Sequence, residues 1–274
     1  MTKYDKAEIQ NKVEELGLLQ SWNHCIELPY GIRTAPDDQV SHGKNIVKWS
    51  RIKQYIDAID VKGKRILDVG CNEGFFSLKL KEMGAREVVG FDADEPRIRK
   101  AKFVSEVLGT SNITYEAADI FESGVEKYGH FDFVLCMGFL HRISYPYLAI
   151  RRLTEIGDTI LFEWKSLREG SFDLPIMKFC GGASKDSNVY SGLYWLPSVQ
   201  CVVDMLQSLG FMHNLVLDHS AWRRTIVISS RFEKPAFKNR DVLDVNKLTV
   251  LGRISRSYVG SILRTLKNKE IRWR

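Results

Sequence analysis

Strand-type and helix-type patterns alternate through the middle of the chain, from about Lys62 to Ser230. This alternation is typical of a mostly parallel sheet covered by helices, because parallel strands need a crossover connection between them. Seven segments have strand character, and they lie at 65–69, 87–91, 113–117, 131–136, 159–164, 213–217 and 225–229. A short polar stretch separates the last two, which predicts a closing hairpin.

Helical spacing of apolar residues predicts the connecting helices and a helical N-terminal extension. These helices are placed at 7–16, 45–59, 74–83, 96–108, 147–156 and 197–209. Pro197 is interpreted as a first-turn proline, and Asp94 as a cap for the helix that follows it. The Gly-, Ser- and Asp-rich stretch Ser166–Leu196 interrupts the pattern. An insertion of this length without regular structure is usually functional or mobile.

Positive charge is concentrated in the C-terminal segment. The whole chain has a net charge of +6, and residues 231–274 contain twelve Lys or Arg against four Asp or Glu. Apolar residues at every fourth position from Ile254 to Leu266 predict a basic amphipathic helix. This helix either packs on the domain or contacts a phosphate-bearing partner such as nucleic acid or a membrane surface. We therefore divide the chain into an N-terminal extension at 1–60, a domain at 61–232 and a basic tail at 233–274.

The N-terminal sequence and the cysteines bear on cellular location. The polar N-terminus does not resemble a signal peptide, and no apolar run approaches the roughly 20 residues that a membrane span requires. The five cysteines are scattered and never have CxxC spacing, which argues against a disulfide framework and a structural zinc site. These features predict a cytoplasmic protein without a metal.

A turn with two glycines follows the first strand and leads into a helix. Its residues are Asp68, Gly70, Cys71, Asn72 and Gly74. Small residues let the backbone pass close to a ligand, and the N–H groups at a helix start favour the ligand's anionic part. Asn72 occupies the middle glycine position of the dinucleotide motif G-x-G-x-x-G, which disfavours a nicotinamide-dependent dehydrogenase.

The next strands end in residues suited to a nucleoside. Asp92, followed by Ala93, can accept the hydroxyls of a ribose. Asp119 and Ile120 suit recognition of an adenine amine and coverage of its ring, and Met137 lies at a small-residue exit after the fourth strand. Each feature alone also has a structural alternative, since Asp92 and Asp94 can simply cap the next helix.

Together these motifs resemble class I methyltransferases. In that family the glycine turn lies under the methionine part of S-adenosylmethionine, the second-strand acid holds the ribose and the third-strand acid reads adenine. The resemblance implies an α/β, Rossmann-like sheet of seven mostly parallel strands with an antiparallel last strand. It also implies S-adenosylmethionine as cofactor and S-adenosylhomocysteine as product.

Stretches outside the cofactor motifs resemble the tRNA wobble-uridine carboxymethyltransferase family and its relatives. They lie at 22–34, 68–75, 137–140 and 194–198. Lys48 matches a lysine that helps bind the cofactor of the tRNA enzymes. Arg223 and Arg224 resemble the family's arginine–threonine run near the last strand, which makes each a candidate to meet a carboxylate or phosphate. Two departures favour plain methyl transfer, because Gly43 replaces an expected tryptophan and His141 follows Leu140 where the tRNA enzymes have Leu-Tyr-His.

Methyl transfer requires alignment of donor and acceptor, exclusion of water and removal of a proton. His141 is the first candidate base, and Glu163 is a second base or an anchor for the acceptor. His24 and Tyr194 are candidates for the acceptor pocket, although a packing role is the structural alternative for Trp22, Tyr194 and Trp195. We expect Trp22–Thr34 and Ser166–Leu196 to fold over the crevice as a lid.

The sequence predicts methyl transfer to an O or N nucleophile of a small-molecule or sugar-containing acceptor. Modification of a tRNA wobble uridine, with the basic tail contacting tRNA, is the alternative. A third possibility is a cofactor-binding partner subunit without a working acceptor site.

Overall fold

The computed structural model describes residues 3–35, 42–122, 126–167, 174–180, 195–218, 224–233 and 243–244. The helices are α1 Lys6–Leu19, α2 His42–Ile59, α3 Phe75–Glu82, α4 Glu95–Val107, α5 Pro146–Ile156 and α6 Val199–Ser208. The strands are β1 Arg65–Val69, β2 Glu87–Asp92, β3 Ile113–Ala117, β4 Phe133–Met137, β5 Thr159–Lys165, β6 Met177–Phe179, β7 Trp195–Pro197, β8 His213–Asp218, β9 Arg224–Ser230 and β10 Leu243–Asp244.

The main sheet has the strand order β10-β8-β9-β5-β4-β1-β2-β3. Strands β1 to β5 pair in parallel, whereas β9 is antiparallel to both β5 and β8. The predicted α/β sheet is confirmed with its seven strands and antiparallel last strand, and the two-residue strand β10 adds an eighth strand at the edge beside β8. Strand order reverses between β1 and β4, so the crevice beyond their carboxyl ends is where such a sheet binds its ligand.

Residues before the sheet share its hydrophobic core. One apolar cluster contains residues from both parts of the chain: Ile9 of α1, Trp22 from the loop after α1, Ile52 of α2 and Ile66 of β1. Helix α1 also packs against α4. The part of the extension that the structure describes is therefore built onto the domain, while the division of the chain at residue 60 stays a prediction.

Two expectations near the insertion are wrong. Pro197 does not open a helix but ends β7, which pairs antiparallel with β6. Ser198 is the N-cap of α6, and its hydroxyl accepts the backbone N–H of Cys201 at 3.1 Å. Two short stretches of the insertion thus form strands, although its polar composition predicts irregular structure throughout.

Several predicted features lie outside the described residues. They are Tyr194, Arg223, the insertion residues 168–173 and 181–194, and the basic helix predicted at 254–266. Among the described helices, none is both long and apolar enough to cross a membrane.

Candidate active site

The turn after β1 alternates ordinary and left-handed backbone conformations. Gly70, Asn72 and Gly74 have φ values of 67°, 54° and 80°. Asparagine tolerates this region better than most residues because its side chain is short and polar. A Cβ on Gly70 would reach the Phe139 ring at 3.5 Å, an ordinary contact, so its positive φ is what requires glycine. A Cβ on Gly74 would overlap the Tyr115 phenol, so this glycine also makes room for a core tyrosine.

Asp92 connects the turn to the end of β2. Its Oδ2 accepts the backbone N–H of Asn72 at 3.0 Å, and its Oδ1 accepts that of Asp94 at 3.0 Å. Burial raises the pKa of Asp92, an effect opposed by these hydrogen bonds and by Arg97. Each carboxylate oxygen still has a lone pair for a ribose hydroxyl. Asp94 occupies the N-cap position of α4, but its side chain makes no capping hydrogen bond.

Asp68 and Cys71 belong to the turn, and their side chains are buried beneath its backbone. Oδ2 of Asp68 accepts the hydroxyl of Ser77 at 2.6 Å, which ties the end of β1 to α3. Burial raises the pKa of Asp68 to about 7. Cys71 is 1% exposed and packs with Tyr115, so its side chain faces the core. Both residues support the turn from below.

The proposed nucleoside residues follow the ends of neighbouring strands. Oδ1 of Asp119 accepts the backbone N–H of Phe121 at 2.9 Å. Ile120 is 2% exposed and belongs to the core beside the sheet, while Ala93 is exposed. Met137 ends β4 and is 9% exposed. These residues share one sheet edge, and their roles toward a cofactor stay predictions.

Three charged side chains converge beside Gly138, just after β4. Nη1 of Arg224 donates to Oε1 and Oε2 of Glu163 at 2.9 and 2.8 Å, and Nζ of Lys48 lies 3.9 Å from Oε2. A Cβ on Gly138 would lie 3.5 to 3.7 Å from all three groups. The structure thus brings together three residues that the sequence placed in different roles. Their formal charges sum to +1.

His141 is buried behind this charged group, in a short 3-10 turn after β4. Its Nδ1 accepts the backbone N–H of Lys165 at 3.3 Å, which assigns the ring proton to Nε2. Burial, followed by the nearby Arg224, lowers the pKa of His141 well below its usual value. The imidazole is therefore neutral, and its role as a base stays a prediction.

His24 approaches the crevice from the N-terminal side. Its ring packs edge-on against Phe75 and Phe76, with centroids 5.9 and 5.8 Å away. Burial lowers its pKa to about 3, with smaller effects from Lys48 and Arg97. Nδ1 is buried and meets no hydrogen-bond partner in the described part of the chain. This nitrogen is available to accept a hydrogen bond from a bound molecule.

Sequence reasoning missed the side chains that hold this N-terminal segment. Glu73, inside the glycine turn, accepts the backbone N–H groups of Asn23 and His24 and is paired with the buried Lys100 at 3.4 Å. An acidic residue between Asn72 and Gly74 was the available signal. Among the described residues, no group of His, Cys, Asp and Glu side chains is arranged to hold a metal ion.

The turn fits the adenosylmethionine cofactor that the motifs imply. Oδ1 of Asn72 is buried and lacks a hydrogen-bond partner among the residues that the structure covers. Gly70 leaves the space above the turn open up to Phe139, and Asp92 has unused lone pairs beside it. The unpartnered Asn72 oxygen, the open space over Gly70 and the Asp92 carboxylate therefore lie side by side along the turn.

Comparisons with known proteins find similar sequences and folds. The methyltransferase domain family matches residues 60–163. The tRNA U34 carboxymethyltransferase of Helicobacter pylori strain G27 is 26% identical over 223 residues, which cover 78% of each chain. That of Campylobacter hominis is 28% identical over 148 residues, which cover 53% of this chain and about half, 48%, of the relative.

Solved structures share the fold. The N-terminal domain of EvdMO1, crystallised in the presence of S-adenosylhomocysteine and D-fucose, has a TM-score of 0.67 and 24% identity, covering 83% of this chain and 97% of that one. The magnesium protoporphyrin IX methyltransferase of Synechocystis PCC 6803 has a TM-score of 0.52 and 18% identity, covering 72% and 86%.

The fold and the glycine-turn edge define a Rossmann-like enzyme domain with a nucleoside-type crevice. With the methyltransferase-domain match over residues 60–163 and the relatives, they support assignment of the chain as an S-adenosylmethionine-dependent methyltransferase with the class I fold. It resembles the tRNA U34 carboxymethyltransferases.

Proposed function

We propose that this enzyme transfers a methyl group from S-adenosylmethionine to an O or N nucleophile of a small-molecule or sugar-containing acceptor. The single observation that carries the choice of acceptor is the enclosure of the charged group beside Gly138. The side chains of Lys48, Arg224 and Glu163 are only 26%, 18% and 0% exposed. Such a recess suits a small group better than a broad nucleic-acid surface.

The cofactor supplies an electrophilic methyl carbon on a sulfonium. Asn72 and Asp92 are proposed to hold its amino-acid and ribose parts, and Asp119 its adenine. With the donor bound, the residues of the recess would hold the acceptor atom in line with this carbon, and the Glu163 carboxylate would receive the proton that the acceptor loses.

The residues of the recess are proposed to align the acceptor. His24 is neutral at physiological pH, so its buried Nδ1 accepts a hydrogen bond from an acceptor hydroxyl or amine. The carboxylate of Glu163 is held in place by Arg224 and is the anionic group of this recess that we assign to take up a departing proton. These contacts supply orientation, which accounts for much of the rate in transfers of this kind.

The relatives and the D-fucose named in the structure of EvdMO1 point to different acceptors. A carboxymethyl donor and a tRNA acceptor form the second candidate function, favoured by the two cations that converge beside Gly138. A donor carboxylate there would contact Lys48 or Arg224.

Calorimetric titration tests the proposal. The purified protein should bind S-adenosylmethionine and S-adenosylhomocysteine, and it should not bind NAD. Mass spectrometry of small molecules that copurify with the protein would distinguish S-adenosylmethionine from its carboxylated form. Binding of the carboxylated donor alone, or tight and salt-sensitive binding of tRNA, would replace the first candidate with the second.

A further inference from the structure

The extended segment 23–26 is held almost entirely by side chains from other elements. Its backbone groups need partners, because buried N–H and C=O groups are nearly always hydrogen-bonded. Glu73, Asn45 and Thr34 supply most of them. The segment contacts the glycine turn through Glu73, and among the described residues it pairs with no strand of the main sheet.

Glu73 provides the first of these contacts. Its Oε1 and Oε2 each accept the N–H of Asn23 at 2.9 Å, and Oε2 accepts that of His24 at 2.6 Å. Its carboxylate is fully buried and lies 3.4 Å from Nζ of Lys100, which also donates to the carbonyl oxygens of Gln20 and Ser21. One buried ion pair thus fixes the chain on both sides of Trp22.

Asn45 and Thr34 complete the set. The Asn45 amide accepts from the backbone N–H of Cys25 at 3.3 Å and donates to its carbonyl at 3.0 Å. Oγ1 of Thr34 accepts the N–H of Ile26 at 3.0 Å and donates to the carbonyl of His24 at 2.6 Å. Both side chains are buried.

We propose that Glu73 is a positioning residue, which fixes the backbone of Asn23 and His24 against the glycine turn and thereby holds the His24 imidazole at the acceptor side of the crevice. Glu73 lies within the glycine turn, which is proposed to hold the cofactor. It therefore fixes the position of segment 23–26 relative to that turn. Segment 23–26 then acts as a fixed wall. The functional meaning of this relation rests on the proposed function, whereas the attachment of the segment does not.

Buried thiols provide the first test. Cys25 lies in the segment, while Cys71 and Cys136 lie in the core, and all three are at most 6% exposed. In Glu73→Gln, either orientation of the amide directs its N–H₂ group at a donor, so the segment should open more often. We expect Cys25 alkylation under native conditions to become about tenfold faster, with Cys71 and Cys136 unchanged.

A second variant tests the same attachment in case Glu73→Gln does not fold. Thr34→Val keeps the shape of the side chain but removes the hydroxyl that holds His24 and Ile26, and it should also accelerate Cys25 alkylation selectively. Glu82→Gln on the exposed side of α3 is the matched control and should change nothing. Equal acceleration at all three cysteines, or no acceleration in either variant, would overturn the proposal.

The His24 ring gives an independent spectroscopic signal. In the wild type its pKa of about 3 keeps it neutral, so its NMR resonances should not shift between pH 5 and 8. In Glu73→Gln the released ring should titrate nearer its usual pKa of 6.5. A non-titrating ring in that variant would contradict the proposal. Failure of the wild type to bind S-adenosylhomocysteine would remove the proposed function while leaving the cysteine and histidine results to be judged on their own.

Discussion

The backbone N–H of Asn72 donates to Oδ2 of Asp92 at 3.0 Å, so the glycine turn and the acid at the end of β2 are joined directly. The left-handed conformation of Asn72 directs this N–H toward the neighbouring strand. One carboxylate therefore shapes the turn and lies where a ribose is expected. Changes at Asp92 should affect both ligand affinity and the turn.

Asp92→Asn should weaken cofactor binding. The amide retains one acceptor oxygen, so it can keep only one of the two backbone hydrogen bonds and loses the charge that favours ribose hydroxyls. A hydrogen bond to a charged group contributes about 1.5–3 kcal/mol, which corresponds to roughly a 10–100-fold higher Kd for S-adenosylhomocysteine by calorimetry. Glu95→Gln, an exposed change on the next helix, is the control. An unchanged Kd in Asp92→Asn would remove Asp92 from the site.

Asp68→Asn should change how stability depends on pH. The pKa of Asp68 is raised from 3.8 to about 7 in the folded protein. The Asp68 carboxyl therefore holds its proton more tightly in the folded state than in the unfolded state. The resulting contribution to the free energy of unfolding is fully present below pH 4 and is lost as the pH rises through 7. Relative to Asp68→Asn, the wild type should lose about 1 kcal/mol of unfolding free energy per pH unit between pH 5 and 6.5. Urea unfolding at both pH values measures this, and parallel profiles would contradict the raised pKa.

Gly74→Ala should destabilise the fold through Tyr115. The new methyl group would overlap the Tyr115 phenol, and the alanine at position 74 would have to adopt a φ of 80°. Overpacking of this kind typically costs about 1–3 kcal/mol. Part of that cost should disappear in the Gly74→Ala, Tyr115→Ala double variant, relative to Tyr115→Ala alone. Strictly additive unfolding free energies would show that the two residues do not compete for space.

The sequence was sufficient to predict the sheet and the chain positions of its acids. Parallel strands bring their carboxyl ends to one edge, so acids such as Asp68, Asp92 and Asp119 fall at the edge once the strands are recognised. The β6–β7 pairing was not predictable in this way. Its two strands are three residues each and lie in a polar insertion, so no alternation is long enough to detect.

The side-chain contacts of the site depend on tertiary packing. Glu73 meets Asn23 across 50 residues, and Arg224 meets Glu163 across 61. No local spacing encodes such pairs. The sequence thus identified Glu163 and Arg224 as candidates without predicting that they contact each other.

Glu163→Gln should alter the choice of donor. The side chain of Glu163 is fully buried and accepts two contacts from Arg224, so loss of its charge leaves two cations beside Gly138 with weaker compensation. We expect destabilisation of about 1–3 kcal/mol in urea unfolding, as for other buried groups that lose a partner.

The same change raises the formal charge of the group from +1 to +2, so affinity for carboxy-S-adenosylmethionine should rise relative to S-adenosylmethionine. Arg224→Met should shift this preference the opposite way, and Glu155→Gln, at an exposed position of α5, is the control. If calorimetry gave the same affinity ratio for wild type, Glu163→Gln and Arg224→Met, these charges would not lie at the methyl-bearing end of the donor.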